Sequence, residues 1–245
     1  MIPKRIIQIW KSDQPPRRYQ DSIGRLRTLH PDFEHLLFSD ESMEAFVEER
    51  FPELLEFYRS LRFPIQRADL YRILAVLALG GFYFDLDVNI VRPLDDLLSY
   101  DAVFPFEKRN TDALLQEVYG FGDLLGNYAF GARAGHPFLR AVVDNIVRAV
   151  SDPAWAAVPE TKKEKTRIMT TVFYTTGPVL LTRTYVERSD LAASVHTLYP
   201  ENPDDRATWD RFGDYGTHDR DSNWVPLSRS QAMRRVLQKI LGPAV

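Results

Sequence analysis

Cysteine is absent from the 245 residues. That excludes disulfides, thiolate-bound zinc and a cysteine nucleophile, and it fits a cytoplasmic address better than an oxidising compartment. Long apolar runs are missing as well. The longest, from Ile73 to Phe84, is broken by Gly80-Gly81 and falls short of the roughly 20 residues that cross a bilayer. No transmembrane helix is expected. Because Gln8 and Lys11 interrupt the opening hydrophobic residues, the start of the chain reads as mature fold rather than as a leader. Charge of one sign is also scarce: 31 Lys and Arg against 34 Asp and Glu leave a formal net charge of -3. With no basic run to neutralise a phosphate backbone, nucleic acid is not an expected partner. Repeats and low-complexity tracts are absent.

What is present is a globular composition, 44% hydrophobic, enough for one sizeable core. Residues 5–10 are β-branched and precede Pro15-Pro16, which predicts a buried first strand. A helix over 19–29, a strand over 34–38 and a helix over 41–50 capped by Ser39-Asp40 follow. Ile65, Leu70, Ile73, Leu74 and Leu77 recur at helical spacing, and Gly80-Gly81 ends that helix and releases Phe82–Phe84 into a strand. Further strands are expected at 102–106, 128–132 and 195–199, and helices from Pro137, over 166–175 and over 179–188. Residues 107–123 and 200–223 read as polar connections, and 228–241 as an amphipathic helix. Such β-α alternation predicts a single α/β domain over 1–245, with a mixed, mostly parallel sheet flanked by helices.

Chemistry concentrates at Asp85-Leu86-Asp87. If the strand stays extended through it, both carboxylates leave on one face and can share a divalent cation that keeps positions open for phosphate oxygens. Acid-x-acid alone is cheap, since Asp32-Phe33-Glu34 and Asp219-Arg220-Asp221 share the spacing. Asp69 and Arg72 read equally as an ordinary helical ion pair, and Tyr83 and Trp10 as core aromatics. His136, just before Pro137, reads as structural.

The run from Arg67 to Asp95 joins an Asp-x-x-Arg helix, Gly-Gly, an aromatic strand and the DxD. It resembles the sugar-binding region of family 32 glycosyltransferases, the group of the yeast initiating α-1,6-mannosyltransferase and of bacterial capsule and glycolipid enzymes. More distantly it is similar to the clostridial glucosylating toxins. Ile2-Pro3-Lys4 with Gln8-Ile9-Trp10, the Asn127–Pro137 segment, Thr176-Gly177-Pro178 and the His218–Trp224 loop extend the likeness, although Gln8 stands where many members carry His-Gln. The resemblance implies a GT-A type hexosyltransferase that is metal-dependent and retaining, moving sugar from a UDP- or GDP-linked donor to a glycan, a glycolipid or another hydroxyl acceptor, as in polysaccharide synthesis.

By that resemblance Asp69 and Arg72 hold the donor sugar and its phosphate, Tyr83 lies near the donor, and Trp10 stacks on the base. Asn127 contacts sugar or acceptor. Asp85 and Asp87 take Mn²⁺, or Mg²⁺, with His218 or alternatively Asp219 completing the site; an imidazole suits Mn²⁺ better. Ser222 and Trp224 close over the diphosphate as part of a lid at 214–225. The basic amphipathic helix at 228–241 offers a peripheral membrane contact if the acceptor is lipid-linked. Two alternatives carry different chemistry: a haloacid dehalogenase type phosphohydrolase, because Phe-Tyr-Phe-Asp-Leu-Asp is an apolar strand ending in Asp-x-Asp, and an inactive sugar-nucleotide-binding scaffold.

Overall fold

The computed structural model describes residues 1–110 and 112–221; Ser222, Trp224 and the helix expected over 228–241 lie outside them. In chain order the elements are β1 (Arg5–Ile9), α1 (Arg17–Leu29), β2 (Glu34–Phe38), α2 (Asp40–Arg50), α3 (Leu55–Ser60), α4 (Pro64–Leu79), β3 (Gly81–Phe84), β4 (Val88–Ile90) and β5 (Ala102–Arg109). There follow β6 (Asp123–Leu125), β7 (Ala129–Ala132), α5 (Pro137–Ser151), α6 (Pro153–Ala156), α7 (Glu164–Thr175), α8 (Pro178–Glu187), α9 (Ser189–Ala192), β8 (Val195–Leu198), β9 (Arg211–Phe212) and β10 (Gly216–His218).

The main sheet has the order β2-β1-β3-β7-β5-β6, with β8 also paired to β5. β1 pairs in parallel with β2 and β3, and β5 with β8, while β7 and β6 run the other way. The sheet is therefore mixed, with five of its seven strands pointing in one direction. Alternation along the strands splits the core between two faces. Ile7, Ile9, Tyr83 and Phe104 pack with α4, α5 and α8 on one side, whereas Ile6, Phe82, Phe84 and Val103 pack with Leu26 of α1 and with Val88, Ile90 and Phe212 on the other.

Two sequence signals act as expected. Ser39 caps α2, its hydroxyl accepting from the Ser42 N–H while the Ser42 hydroxyl accepts from the Ser39 N–H. Gly80, at φ 66°, ends α4, and Gly81, at φ 111°, opens β3 so close to β1 that a Cβ there would lie 2.7 Å from the Arg5 carbonyl. Two readings need correction. Residues 107–123 are not one polar connection: β5 continues to Arg109, and a helical turn at Leu114–Val118 and strand β6 follow. Of the loop expected over 200–223, the described part to residue 221 is not free either, since β10 pairs antiparallel with β4 and β9. Local patterning misses these strands because they are only two or three residues long, and β10 is fixed by a partner, β4, more than a hundred residues before it.

Candidate active site

The site forms where β1 and β3 end and α4 begins, at the carboxyl edge of the sheet. β1 delivers Trp10 to the rim, where its ring meets Tyr19 edge-on at 5.4 Å. Helix α4 starts with Pro64 in its first turn and the Phe63 N–H donating to Gln66 Oε1 at 3.1 Å. Its middle is buried, and that burial includes two charged side chains, Asp69 at 3% and Arg72 at 4% exposure. Charges so placed must be paired. Arg72 reaches Asp69 Oδ1 at 3.2 Å and Asp85 at 3.4 Å, and donates to the Asn127 carbonyl at 2.9 Å. Its guanidinium stands 4.9 Å from the centre of the Tyr83 ring. Asp69 also accepts from Thr176 Oγ1 at 2.8 Å and from Asn127 Nδ2 at 3.2 Å.

The strand does not stay extended through the acidic pair. It ends at Phe84, and the Val88 N–H donates to the Asp85 carbonyl at 3.1 Å, closing a turn. The two carboxylates still converge, through a different route. β10 lays His218 opposite Val88, the Asp219 N–H donates to the Asp87 carbonyl at 3.0 Å, and the Asp221 N–H donates to Asp87 Oδ2 at 2.8 Å. His218 Nε2 thereby stands 3.5 Å from Asp87 Oδ1, its ring stacked on Tyr128 at 4.1 Å. Close approach of the two strands requires Gly216, where a Cβ would lie 2.5 Å from the Asn89 carbonyl.

Asp85, Asp87 and His218 each offer a ligand atom within 4.8 Å of the others, a group that can hold a metal ion. His218 Nδ1 is buried without a hydrogen-bond partner among the described residues, so the imidazole is not consumed by packing. Two carboxylates and an imidazole suit a borderline divalent cation. Asp219 does not join them. It lies just past the end of β10, and its carboxylate is taken up by Asn89 Nδ2, from which it accepts at 2.8 Å.

Electrostatics divide the acids. Burial pushes the Asp69 carboxyl up to about 6, against Arg72 and the Thr176 hydroxyl. Burial also raises Asp85, opposed by Arg72 and reinforced by Asp87. Asp87 feels the same burial, but the hydrogen bond and charge of His218 outweigh it and hold its carboxyl below the usual range. Burial disfavours the His218 imidazolium, yet Asp87 and Asp85 overcome it and raise its pKa.

Asp69, Arg72, Asp85, Asp87 and His218 border one cavity of about 490 Å³. Trp10 and Tyr19 line it as well, with Asn127, and Met169, Val172 and Phe173 of α7 add an apolar lining. The structure thus brings together the expected Trp10, Asp69, Arg72, Asp85, Asp87, Asn127 and His218. Tyr83 is fully buried and does not border the cavity; its hydroxyl donates to Asp85, so it acts through that carboxylate. Residues 214–221, expected as part of a lid, belong to the β4–β10 sheet or follow it. His136 is buried and caps α5 by accepting from the Phe138 N–H, as its structural reading requires, and burial pushes its pKa down to about 4.

Sequence reasoning missed Thr176 as the holder of Asp69, and Glu107, Lys108, Asp210 and Arg220, which border the cavity. Burial raises the Glu107 carboxyl, opposed by Lys108, His218 and Arg220. For Thr176 the Thr-Gly-Pro turn was a signal; for the others only the pairing of distant strands reveals them. The phosphohydrolase alternative needs its first Asp free at a strand end, whereas Asp85 is held by Tyr83 and Arg72.

The structure thus sets an acidic pair and an imidazole at the carboxyl edge of a mixed sheet flanked by helices. Residues 16–104 match the family described as "Glycosyltransferase sugar-binding region containing DXD motif", and the chain carries that region. It is 34% identical over 180 residues to inositol phosphoceramide mannosyltransferase 3 of Schizosaccharomyces pombe, which covers 74% of this chain and 44% of the relative. The chain thus spans less than half the length of that relative. Among solved structures it resembles the PaToxG glycosyltransferase, with a TM-score of 0.54 at 15% identity, covering 78% of this chain and 73% of the other. The UDP-bound glycosyltransferase domain of the YGT toxin gives a TM-score of 0.52 at 12% identity, covering 80% and 79%. At such identities these two likenesses concern the fold.

Proposed function

We propose that the chain is a metal-dependent, retaining hexosyltransferase that moves a sugar from a UDP- or GDP-linked donor to a hydroxyl of a glycan or lipid-linked acceptor. One observation carries the reading. The Asp85–Asp87–His218 group, with ligand atoms within 4.8 Å, shares a cavity with the buried Asp69–Arg72 pair. Asp85, Asp87 and His218 would hold Mn²⁺, which when bound offsets charge on the departing diphosphate. Arg72 offers a planar fork to phosphate or sugar oxygens. Asp69 and Asn127 would take sugar hydroxyls, and Trp10 the base. Much of the acceleration in such a transfer comes from positioning and fixed charge, and a network already hydrogen-bonded supplies both.

The fungal relative's name, inositol phosphoceramide mannosyltransferase 3, supports a lipid acceptor, and the apolar side chains Met169, Val172 and Phe173 on the cavity suit an acceptor with an apolar part. A cytoplasmic, membrane-associated placement fits the same reading. The test is a thermal-shift screen of UDP- and GDP-sugars with and without Mn²⁺. Stabilisation that needs nucleotide and cation together, and is lost in Asp87→Ala, is expected. Stabilisation indifferent to the cation or to Asp87 would sink the reading, and an inverted anomeric product would remove retention from it. Transfer lost in Asp87→Ala separates the enzyme from an inactive scaffold.

A further inference from the structure

We propose that Glu107 is the nucleophile of the transfer, forming a transient ester with the anomeric carbon of the donor sugar; this rests on the retaining-transferase reading and deepens it.

Its backbone position is the first ground. Along β5 and β6, Phe106 pairs with Leu125 and Lys108 with Leu124, so Glu107 is the extra residue of a bulge. In a regular strand Glu107 and Lys108 would face opposite sides, yet both border the cavity. Bulges re-aim side chains beside active sites. This one is fixed from outside, since the Glu107 carbonyl accepts from the Asp210 N–H at 2.8 Å.

The second ground is what the neighbouring carboxylates already do. Asp69 is held by Thr176, Asn127 and Arg72, and Asp85 by Tyr83 and Arg72. Asp87 accepts from the Asp221 N–H and faces His218, while Asp210 pairs with Arg220. The Glu107 side chain, on a partly buried residue, makes no hydrogen bond or ion pair among the described residues and stands outside the group that can hold a metal. A desolvated carboxylate without a partner is costly, and Lys108, His218 and Arg220 favour its charged form against that burial. An unoccupied carboxylate bordering the cavity beside the metal group is placed as a glycosyl nucleophile must be.

The chemistry balances without an added reactant. A Glu107 oxygen forms a bond to the anomeric carbon as the bond from that carbon to the phosphate oxygen breaks, and the electron pair leaves with the nucleoside diphosphate. The acceptor hydroxyl oxygen then bonds the same carbon. The ester bond breaks, its electron pair returns to the carboxylate, and the hydroxyl proton passes to the phosphate oxygen freed in the first step. Two inversions give net retention.

Glu107→Ala and Glu107→Gln test this in the full chain, using GDP-mannose and UDP-glucose with Mn²⁺ and reading release of nucleoside diphosphate. Both variants should bind UDP or GDP with Mn²⁺ as the parent does and turn over at least about a thousandfold more slowly. Sodium azide should restore turnover in Glu107→Ala and yield a glycosyl azide with the anomeric configuration opposite to that of the donor. A Glu107→Ala variant within tenfold of the parent, or an inactive one that azide does not rescue, overturns the proposal. If the parent itself releases no diphosphate from either donor, the transferase reading fails. If it does so while Glu107→Ala stays active, only the role of Glu107 falls.

Discussion

The two walls of the cavity hold their charges differently. On the α4–β3 wall, Asp69, Arg72, Asp85, Asn127 and Thr176 form one closed network beneath a fully buried Tyr83. On the wall built by β10 and the β5 bulge, His218 keeps an Nδ1 and Glu107 a carboxylate without a partner among the described residues. The first wall belongs to the core, so its charges serve stability and substrate together. The second joins the small three-stranded sheet to a bulge in the main one, and these polar atoms are not tied into a network among the described residues. Changes on the first wall should therefore unfold the protein, and changes on the second should disarm it.

The largest effect tests the first half of that contrast. Arg72→Ala removes the cation shared by Asp69 and Asp85, and an uncompensated buried charge costs about 3–5 kcal/mol. Urea denaturation should show it with or without Mn²⁺ and nucleotide. A variant as stable as the parent would mean that the network is not part of the core. Next in size is a pH effect. Asp69 titrates at about 6 in the fold against 3.8 as a free carboxyl. Between those values the folded state binds more protons, so this group's contribution to stability falls as pH rises through that window, by about 3 kcal/mol in all. Relative to Asp69→Asn, the parent should lose stability from pH 4 to pH 6, and parallel curves for the two proteins would remove the effect.

Matched glycine substitutions sharpen the contrast further. Gly81→Ala forces a methyl group against β1 at a φ of 111°, and backbone strain of this kind costs about 1–3 kcal/mol. Gly216→Ala crowds the Asn89 carbonyl by a similar amount, but it does so in the three-stranded addition. It should displace His218 and abolish the Mn²⁺-dependent nucleotide shift while moving the unfolding midpoint less than Gly81→Ala does. Equal loss of stability in both would erase the difference between the walls.

Legibility in the sequence follows the same division. Helix α4, the Gly80-Gly81 stop, β3 and the acidic pair are contiguous, so spacing and caps predict them, and their likeness to a known family assigns roles. Even there the sequence could not show that the pair sits on a turn, because that turn is set by the Asp85–Val88 hydrogen bond and by β10 arriving from far along the chain. His218 was legible by resemblance, but its choice over Asp219 depends on its pairing opposite Val88 and on Asn89 taking up the Asp219 carboxylate. Glu107 and Arg220 have no local signal at all. A bulge is a relation between two strands, and neither strand alone announces it.

Trp10 tests the comparison at its edge and carries the smallest expected effect. It is partly exposed at the rim, with Tyr19 against one edge of its ring, so it belongs to neither the closed network nor the β10 wall. If it stacks on the base, Trp10→Ala should weaken nucleotide binding by about 1–3 kcal/mol and leave the Mn²⁺ requirement intact. Trp10→Phe should recover much of that loss, since a smaller π-face remains. The sugar moiety should matter little to the difference, because stacking senses the base, so UDP and a UDP-sugar should lose affinity in parallel. Calorimetric titration of both ligands into the parent and the two variants reads this directly. Equal losses for Ala and Phe would show that Trp10 works as a packing residue for Tyr19, and would place this part of the cavity with the core rather than with the donor.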